Sequence, residues 1–458
     1  MLVRSVNLNL RIPVALRYWA NIDAYQIHLK DRFVRFVCAD SKHRIDVRSF
    51  ENPLQIEYVM TLLKIEEPEI FPQRRPSLME HALWRLGFRP FYLVAALFAA
   101  VSIPLWIAQY YGWVVMPQVN LFWHMHEMVY GFAIAVVIGF LFTAMRAWTG
   151  LWTPRKGHLA ALVGLWLAGR ITMLCAPPLL AAVVDVAFLP LATWPMYRVL
   201  QRASNKRNMF LIVMLGLLTL ANLTFHAAVN GQLALSPILP MQAAILLIVI
   251  IESLIGARVI PMFTSNGAPG TKPIVHVRRD LITVVLMLFA SLAWVFGAPP
   301  AASAGLAIAA ASATLLRLAG WQPHRTLRVP LLWILHLSYG WIPVGFFLLA
   351  LAALNVVPAS AAFHALTVGS MAGLIIGMMT RTALGHTGRL LKAGSSELAM
   401  YLLIQAGALT RVAAAFDLAG LRDTALIIST LCWTAAFALY VIVYGPYLLR
   451  PRIDGREG

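Results

Sequence analysis

Twelve long apolar runs dominate this chain, and they decide what it can become. They lie near residues 90–111, 124–145, 158–175, 178–199, 208–229, 237–259, 281–298, 300–318, 330–354, 359–380, 397–416 and 424–448. A hydrocarbon core of roughly 30 Å demands a helix of about 18 or more apolar residues. A transmembrane β-barrel would instead alternate apolar and polar residues in segments of about ten, and that pattern is absent. Composition agrees: of 458 residues, 60% are hydrophobic and 12% charged, about half the charged fraction of soluble domains. The expected fold class is all-α, a polytopic integral membrane protein of about twelve helices.

The net charge of +18 points to membrane insertion and away from nucleic acid, because Lys and Arg gather in alternate loops. One set carries Arg146, Arg155 and Lys156; Arg198, Arg202, Lys206 and Arg207; Arg258, Lys272, Arg278 and Arg279; Arg317, Arg325 and Arg328; Arg381, Arg389 and Lys392; and Arg450 and Arg452. Residues 110–120, 228–237, 299–303 and 355–360 carry none, and the last loop of this bare set has Arg422 beside Asp417 and Asp423. Placing the basic loops inside predicts an inner-membrane protein with both termini cytoplasmic. Cys38, Cys175 and Cys432 are scattered, without a haem-attachment or zinc spacing.

The expected organisation has four parts. Residues 1–59 form an atypical extension, basic and not strongly periodic, and residues 60–88 a cytoplasmic tail. Residues 89–449 form the twelve-helix domain and 450–458 a cytoplasmic end. No apolar signal segment occurs in the first seventy residues. Residues 1–59 read as a start placed too far upstream, with Met60 the expected first residue and Met79 a second candidate; a small cytoplasmic extension is the alternative. An intact mass matching 1–458 would overturn the shorter start.

Ionisable groups inside spans are costly and mark functional sites by default. His124 and His126 open the second span, His226 lies near the end of the fifth, and His364 starts the tenth, all toward the bare side. Imidazole suits haem iron and copper without a thiolate. These four are the candidate metal- and cofactor-binding residues; the bland alternative is a local hydrogen bond for each. On a regular helix His124 and His126 point about 200° apart. Both reach one metal only if the helix begins after His124; otherwise they serve two centres, or one alone is a ligand. Glu127 and Asn222 are candidates to orient the imidazoles. Met125, Met128 and Met371 offer thioethers, though methionine is more often filler. Arg170 and Asp185 are expected to form a structural ion pair, and Glu252, Arg258 and His336 fall in the cytoplasmic third, where a proton or substrate path would need polar groups. The polar stretches 258–266 and 380–389 read as helix exits, with Arg258, Arg381 and His386 possible anion or propionate contacts. The small-residue rows Gly131, Ala135, Gly139 and Gly369, Gly373, Gly377 read as close helix packing.

Four stretches resemble the NnrS family of bacterial membrane proteins. They are Leu83-Trp-Arg-Leu-Gly-Phe-Arg-Pro-Phe91, then Trp123-His-Met-His-Glu-Met128 running into Gly131 and Gly139, then Gly256-Ala-Arg-Val-Ile-Pro-Met-Phe-Thr264 with Asn266, and His364-Ala-Leu-Thr-Val-Gly369 leading to Met379-Thr-Arg-Thr-Ala-Leu-Gly-His-Thr-Gly388. The resemblance covers nearly everything after about residue 75. It implies a twelve-helix protein containing non-covalent haem and copper, linked to nitric oxide metabolism and nitrosative stress, with nitric oxide or a metal adduct derived from it as a partner. It settles neither the reaction nor the ligands. Two rivals remain open: a twelve-helix secondary transporter of a small solute, and an oxidase-like subunit, for which an adjacent His-His pair on a late helix is missing.

Overall fold

The structure, a computed structural model, describes residues 25–30, 33–38, 44–47 and 78–456. The chain divides into two compact units, Met1–Arg75 and Pro76–Gly458. In the first, strands β1 (Tyr25–Lys30), β2 (Phe33–Cys38) and β3 (Arg44–Val47) form an antiparallel sheet in that order, with Ile27 opposite Phe36 and Phe36 opposite Ile45. The alternation of Tyr25, Ile27 and Leu29 is period two, but six residues of it are too few to stand out in a mixed, basic segment.

The second unit is all-α, with no strand among its described residues. Its long helices are α1 (Phe88–Tyr110), α2 (Leu121–Thr149), α3 (Lys156–Cys175), α4 (Pro178–Arg202), α5 (Phe210–Val229) and α6 (Ile238–Gly267). They continue with α7 (Val277–Val295), α8 (Pro300–Gly320), α9 (Pro330–Ala353), α10 (Ala359–His386), α11 (Ser395–Phe416) and α12 (Arg422–Leu449). Among the described residues, eleven of these are long and apolar enough to cross a membrane. The exception, α7, opens on Arg278-Arg279-Asp280, which leaves too little uncharged length. The protein is a multi-pass membrane protein.

Local chemistry sets the helix ends. Asn120 caps α2 by accepting from the Trp123 N–H at 3.1 Å. Proline occupies the first turn of α4, α8 and α9, where its missing N–H leaves nothing unpaired. Gly150, at φ +71°, closes α2 in the left-handed conformation. Arg89 of α1 is fully buried and donates to the carbonyls of Tyr447, Leu448 and Arg450 at 3.2, 2.9 and 2.8 Å. It thereby satisfies the open end of α12 and joins the first span to the last.

Two features differ from expectation. The polar stretches 258–266 and 380–386 continue α6 and α10 as helix and do not break them; Pro261 sits inside α6. And α2 and α10 each contain a π-helical segment, Glu127–Ala133 and Ala365–Ala372, that begins directly after a histidine. The glycine rows do serve close packing. A Cβ on Gly377 would stand 2.8 Å from Leu335 of α9, and one on Gly139 2.8 Å from Phe91 of α1.

Candidate functional site

The helices run antiparallel in sequence, so connections 111–120, 176–177, 230–237, 296–299, 354–358 and 417–421 lie at one end of the bundle, and none holds Lys or Arg. Both candidate sites are built at this bare end.

The first is a buried cluster between α2, α3, α4 and α5. His126 is 0% exposed and Asp185 3%. His126 Nε2 lies 3.0 Å from Asp185 Oδ2 and 3.0 Å from Asn222 Oδ1, and its Nδ1 lies 3.1 Å from Glu127 Oε1. Asp185 Oδ2 also meets His226 Nε2 at 3.1 Å and accepts from the Asn222 amide at 2.7 Å. Arg170 pairs with Asp185 and, at 3.3 Å, with Glu127. The His126 ring is clamped between Tyr130 and Phe225, with centroids 5.1 and 5.0 Å away. One ligand atom each from His126, Asp185 and His226 falls within 4.8 Å of the others.

Its chemistry rests on a count of protons. Neutral imidazole donates from one nitrogen, yet both nitrogens of His126 face carboxylates. A second ring proton, a proton on one carboxyl, or a cation at one nitrogen each satisfies this arrangement. Two carboxyl groups here face a single guanidinium, with the His126 ring between them. A buried set of this kind is stable only when charges and hydrogen bonds are both satisfied.

The second site is a cavity of about 700 Å³ enclosed by α1, α2, α6, α10, α11 and α12. His124 and His364 both line it, from different helices. The His364 Nδ1 lies 2.7 Å from the Ser360 carbonyl oxygen; a carbonyl only accepts, so Nδ1 carries the proton, and among the described residues Nε2 has no hydrogen-bond partner. His124 stacks on Trp106, rings 5.2 Å apart and 10° from parallel, and its Nδ1 is buried without a partner. Met125, Met128 and Met371 also face the cavity. Among the described residues no Asp or Glu does, whereas Arg411 and Arg422 do.

The four histidines expected at one level thus separate into two pairs: His126 with His226 in the cluster, and His124 with His364 at the cavity. The helix begins at Leu121, ahead of His124, so the two α2 rings leave the axis in different directions. Asn222 does belong to the cluster, bonded to His126 and Asp185. Asp185 was expected only to pair with Arg170; it is the oxygen on which the cluster converges. Arg411, interrupting an apolar run near the bare side, was the signal that sequence reasoning passed over.

Arg258, Arg381 and His386 lie at the basic end and do not line the large cavity. Arg258 donates to Asn208 at 2.9 Å, Arg381 covers the Phe263 ring at 3.8 Å, and His386 packs 5.6 Å from Phe88. Glu252 accepts from Ser370 at 3.2 Å and faces a smaller apolar cavity of about 100 Å³, which shares Met371 with the large one. His336 meets Thr264 at 2.8 Å.

A model of the family described as NnrS protein matches residues 82–452, most of the chain. No curated protein matches.

Proposed function

The chain belongs to the NnrS family, and on that premise we propose that it is a haem- and copper-binding protein of the bacterial inner membrane, acting in nitric oxide metabolism or resistance to nitrosative stress. The observation that carries this reading is the cavity, with an unencumbered histidine nitrogen on each of two helices and otherwise largely apolar walls. A volume of about 700 Å³ falls within the range of roughly 300–1,000 Å³ typical of cofactor sites. His124 and His364 would hold the haem. Bound there, the iron would supply a centre for a small diatomic molecule such as nitric oxide or for transfer of a metal adduct derived from it. The chain's own contribution is orientation: the Ser360 carbonyl fixes the tautomer of His364, and Trp106 fixes the plane of His124.

The cluster would hold the copper through His126, His226 and Asp185, a nitrogen–oxygen donor set that copper accepts. Glu127 and Asn222 would position the imidazoles. A copper ion bound there would occupy the place of a ring proton between His126 and Asp185. The loop charges support cytoplasmic termini, an orientation in which both sites would lie toward the periplasmic face. A secondary transporter would concentrate its polar binding groups near the bilayer midplane, whereas both sites here lie toward one end.

Purified protein tests the reading. We expect a Soret band and copper in stoichiometric amount; His124→Ala and His364→Ala reduce the Soret band, while His126→Ala and His226→Ala reduce copper and spare it. Colourless, copper-free protein from haem- and copper-replete cells would overturn the proposal. Equal loss of both from all four variants would overturn the division into two sites.

A further inference from the structure

Two guanidinium groups break the charge pattern of the bare end. Its six connections contain no Lys or Arg, and its buried cation Arg170 is held by Glu127 and Asp185. Arg411, five residues from the end of α11, and Arg422, the first residue of α12, both face the large cavity. Among the described residues neither guanidinium makes a hydrogen bond or an ion pair. The nearby carboxylates are otherwise engaged: Asp417 accepts from the Arg422 backbone N–H at 3.2 Å, and Asp423 accepts from the Tyr111 hydroxyl at 2.9 Å.

A cavity lined, among the described residues, by two arginines and no acid, at the edge of a hydrocarbon layer, is short of negative charge. Unpaired cations in such surroundings are strongly unfavourable, so they are retained where an anion comes to meet them. Guanidinium is the group best shaped for carboxylate, which it grips through two parallel hydrogen bonds. Two guanidiniums match two carboxylates. Positive-inside insertion gives no reason for arginine at this end, which removes the ordinary explanation for both residues.

We propose that Arg411 and Arg422 are the carboxylate-binding residues of the cavity and anchor the two propionate groups of a haem at its mouth. This assignment rests on the reading of the cavity as a haem site. It adds which edge of the ring system the protein recognises, and by which residues.

The test uses the full chain, produced in haem-limited cells and titrated with haem and with haem dimethyl ester, whose carboxylates are masked. The parent protein is expected to prefer free-acid haem by roughly tenfold or more, the scale of a lost charge-assisted pair. Arg411→Leu and Arg422→Leu each lower that preference by the share of one pair and leave binding of the ester unchanged, which also shows that the cavity still forms. Arg411→Lys restores part of it, because a point charge replaces a fork. A parent that binds both forms equally, or leucine variants that keep the preference, would overturn the assignment and leave the haem site standing. Succinate binding to a parent that does not distinguish haem from its ester would put a free anion there and likewise overturn it. A parent that binds neither form overturns the haem reading as well.

Discussion

His124 and His126 stand two residues apart and face different partners: an indole and open cavity for one, two carboxylates and an amide for the other. Asp185 is the residue on which most depends. It contacts Arg170, His126, His226 and Asn222 at once, so Asp185→Asn leaves a buried guanidinium with Glu127 alone. Breaking one partner of a buried pair costs about 3–5 kcal/mol. We expect a loss of that order in thermal unfolding in detergent, together with loss of copper; a variant as stable as the parent would show that the cluster is not under electrostatic constraint. His158→Ala, at an exposed position at the opposite end of the bundle, is expected to change neither haem nor copper.

At the scale of elements, the two π segments decide the phase of the site helices. A π turn inserts the equivalent of one extra residue into an α-helix, which rotates the residues before it by about 100° relative to those after it. In α2 the segment Glu127–Ala133 lies between the histidines and the remainder of the span, and in α10 the segment Ala365–Ala372 lies after His364. Deleting Val129 should restore regular α pitch and turn both α2 histidines out of their sites. The expected result is a protein that inserts with near-parental helicity but has lost haem and copper; retention of both would refute the phase argument. Gly131 sets the spacing inside the same segment, since a Cβ there would stand 2.7 Å from Glu127 Oε2 and from Phe98. Gly131→Ala is expected to cost about 1–3 kcal/mol by overpacking, read as a lower unfolding temperature. An unchanged midpoint would mean the neighbours yield freely.

For the whole molecule, orientation is the first question, and Cys175 answers it. Its thiol is exposed at the bare end of α3. A membrane-impermeant maleimide should label it in spheroplasts, with Cys175→Ser as control; labelling only after lysis would reverse the topology. At the other end, Arg452 clasps Asp454 and donates to the His386 carbonyl at 3.1 Å, and Ile453 N–H reaches Thr387 O at 3.2 Å. Hydrogen bonding to Arg452 holds the Asp454 carboxyl well below the usual carboxylate range. A depressed carboxylate contributes while ionised, so the clasp is complete above about pH 4, the ordinary value. It is lost as pH falls through the lowered one. Amide exchange at Ile453 should therefore lose protection on acidification in the parent, and Asp454→Asn should remove that dependence. Equal acid sensitivity in both proteins would exclude the clasp as its origin.

Hydropathy and loop charge are properties of short stretches, so the sequence by itself determined the number and order of the helices, the end at which cations are scarce, and the polar residues the membrane must accommodate. His124, His126, His226, His364, Asn222 and Asp185 were all visible for that reason. Their grouping was not, because which face of a helix meets which neighbour depends on packing and on two π turns that no local pattern announces. Only the tertiary structure divided four histidines into a cluster and a cavity, made Asp185 the centre of the cluster, and brought Arg411 and Arg422 from separate helices to the cavity wall.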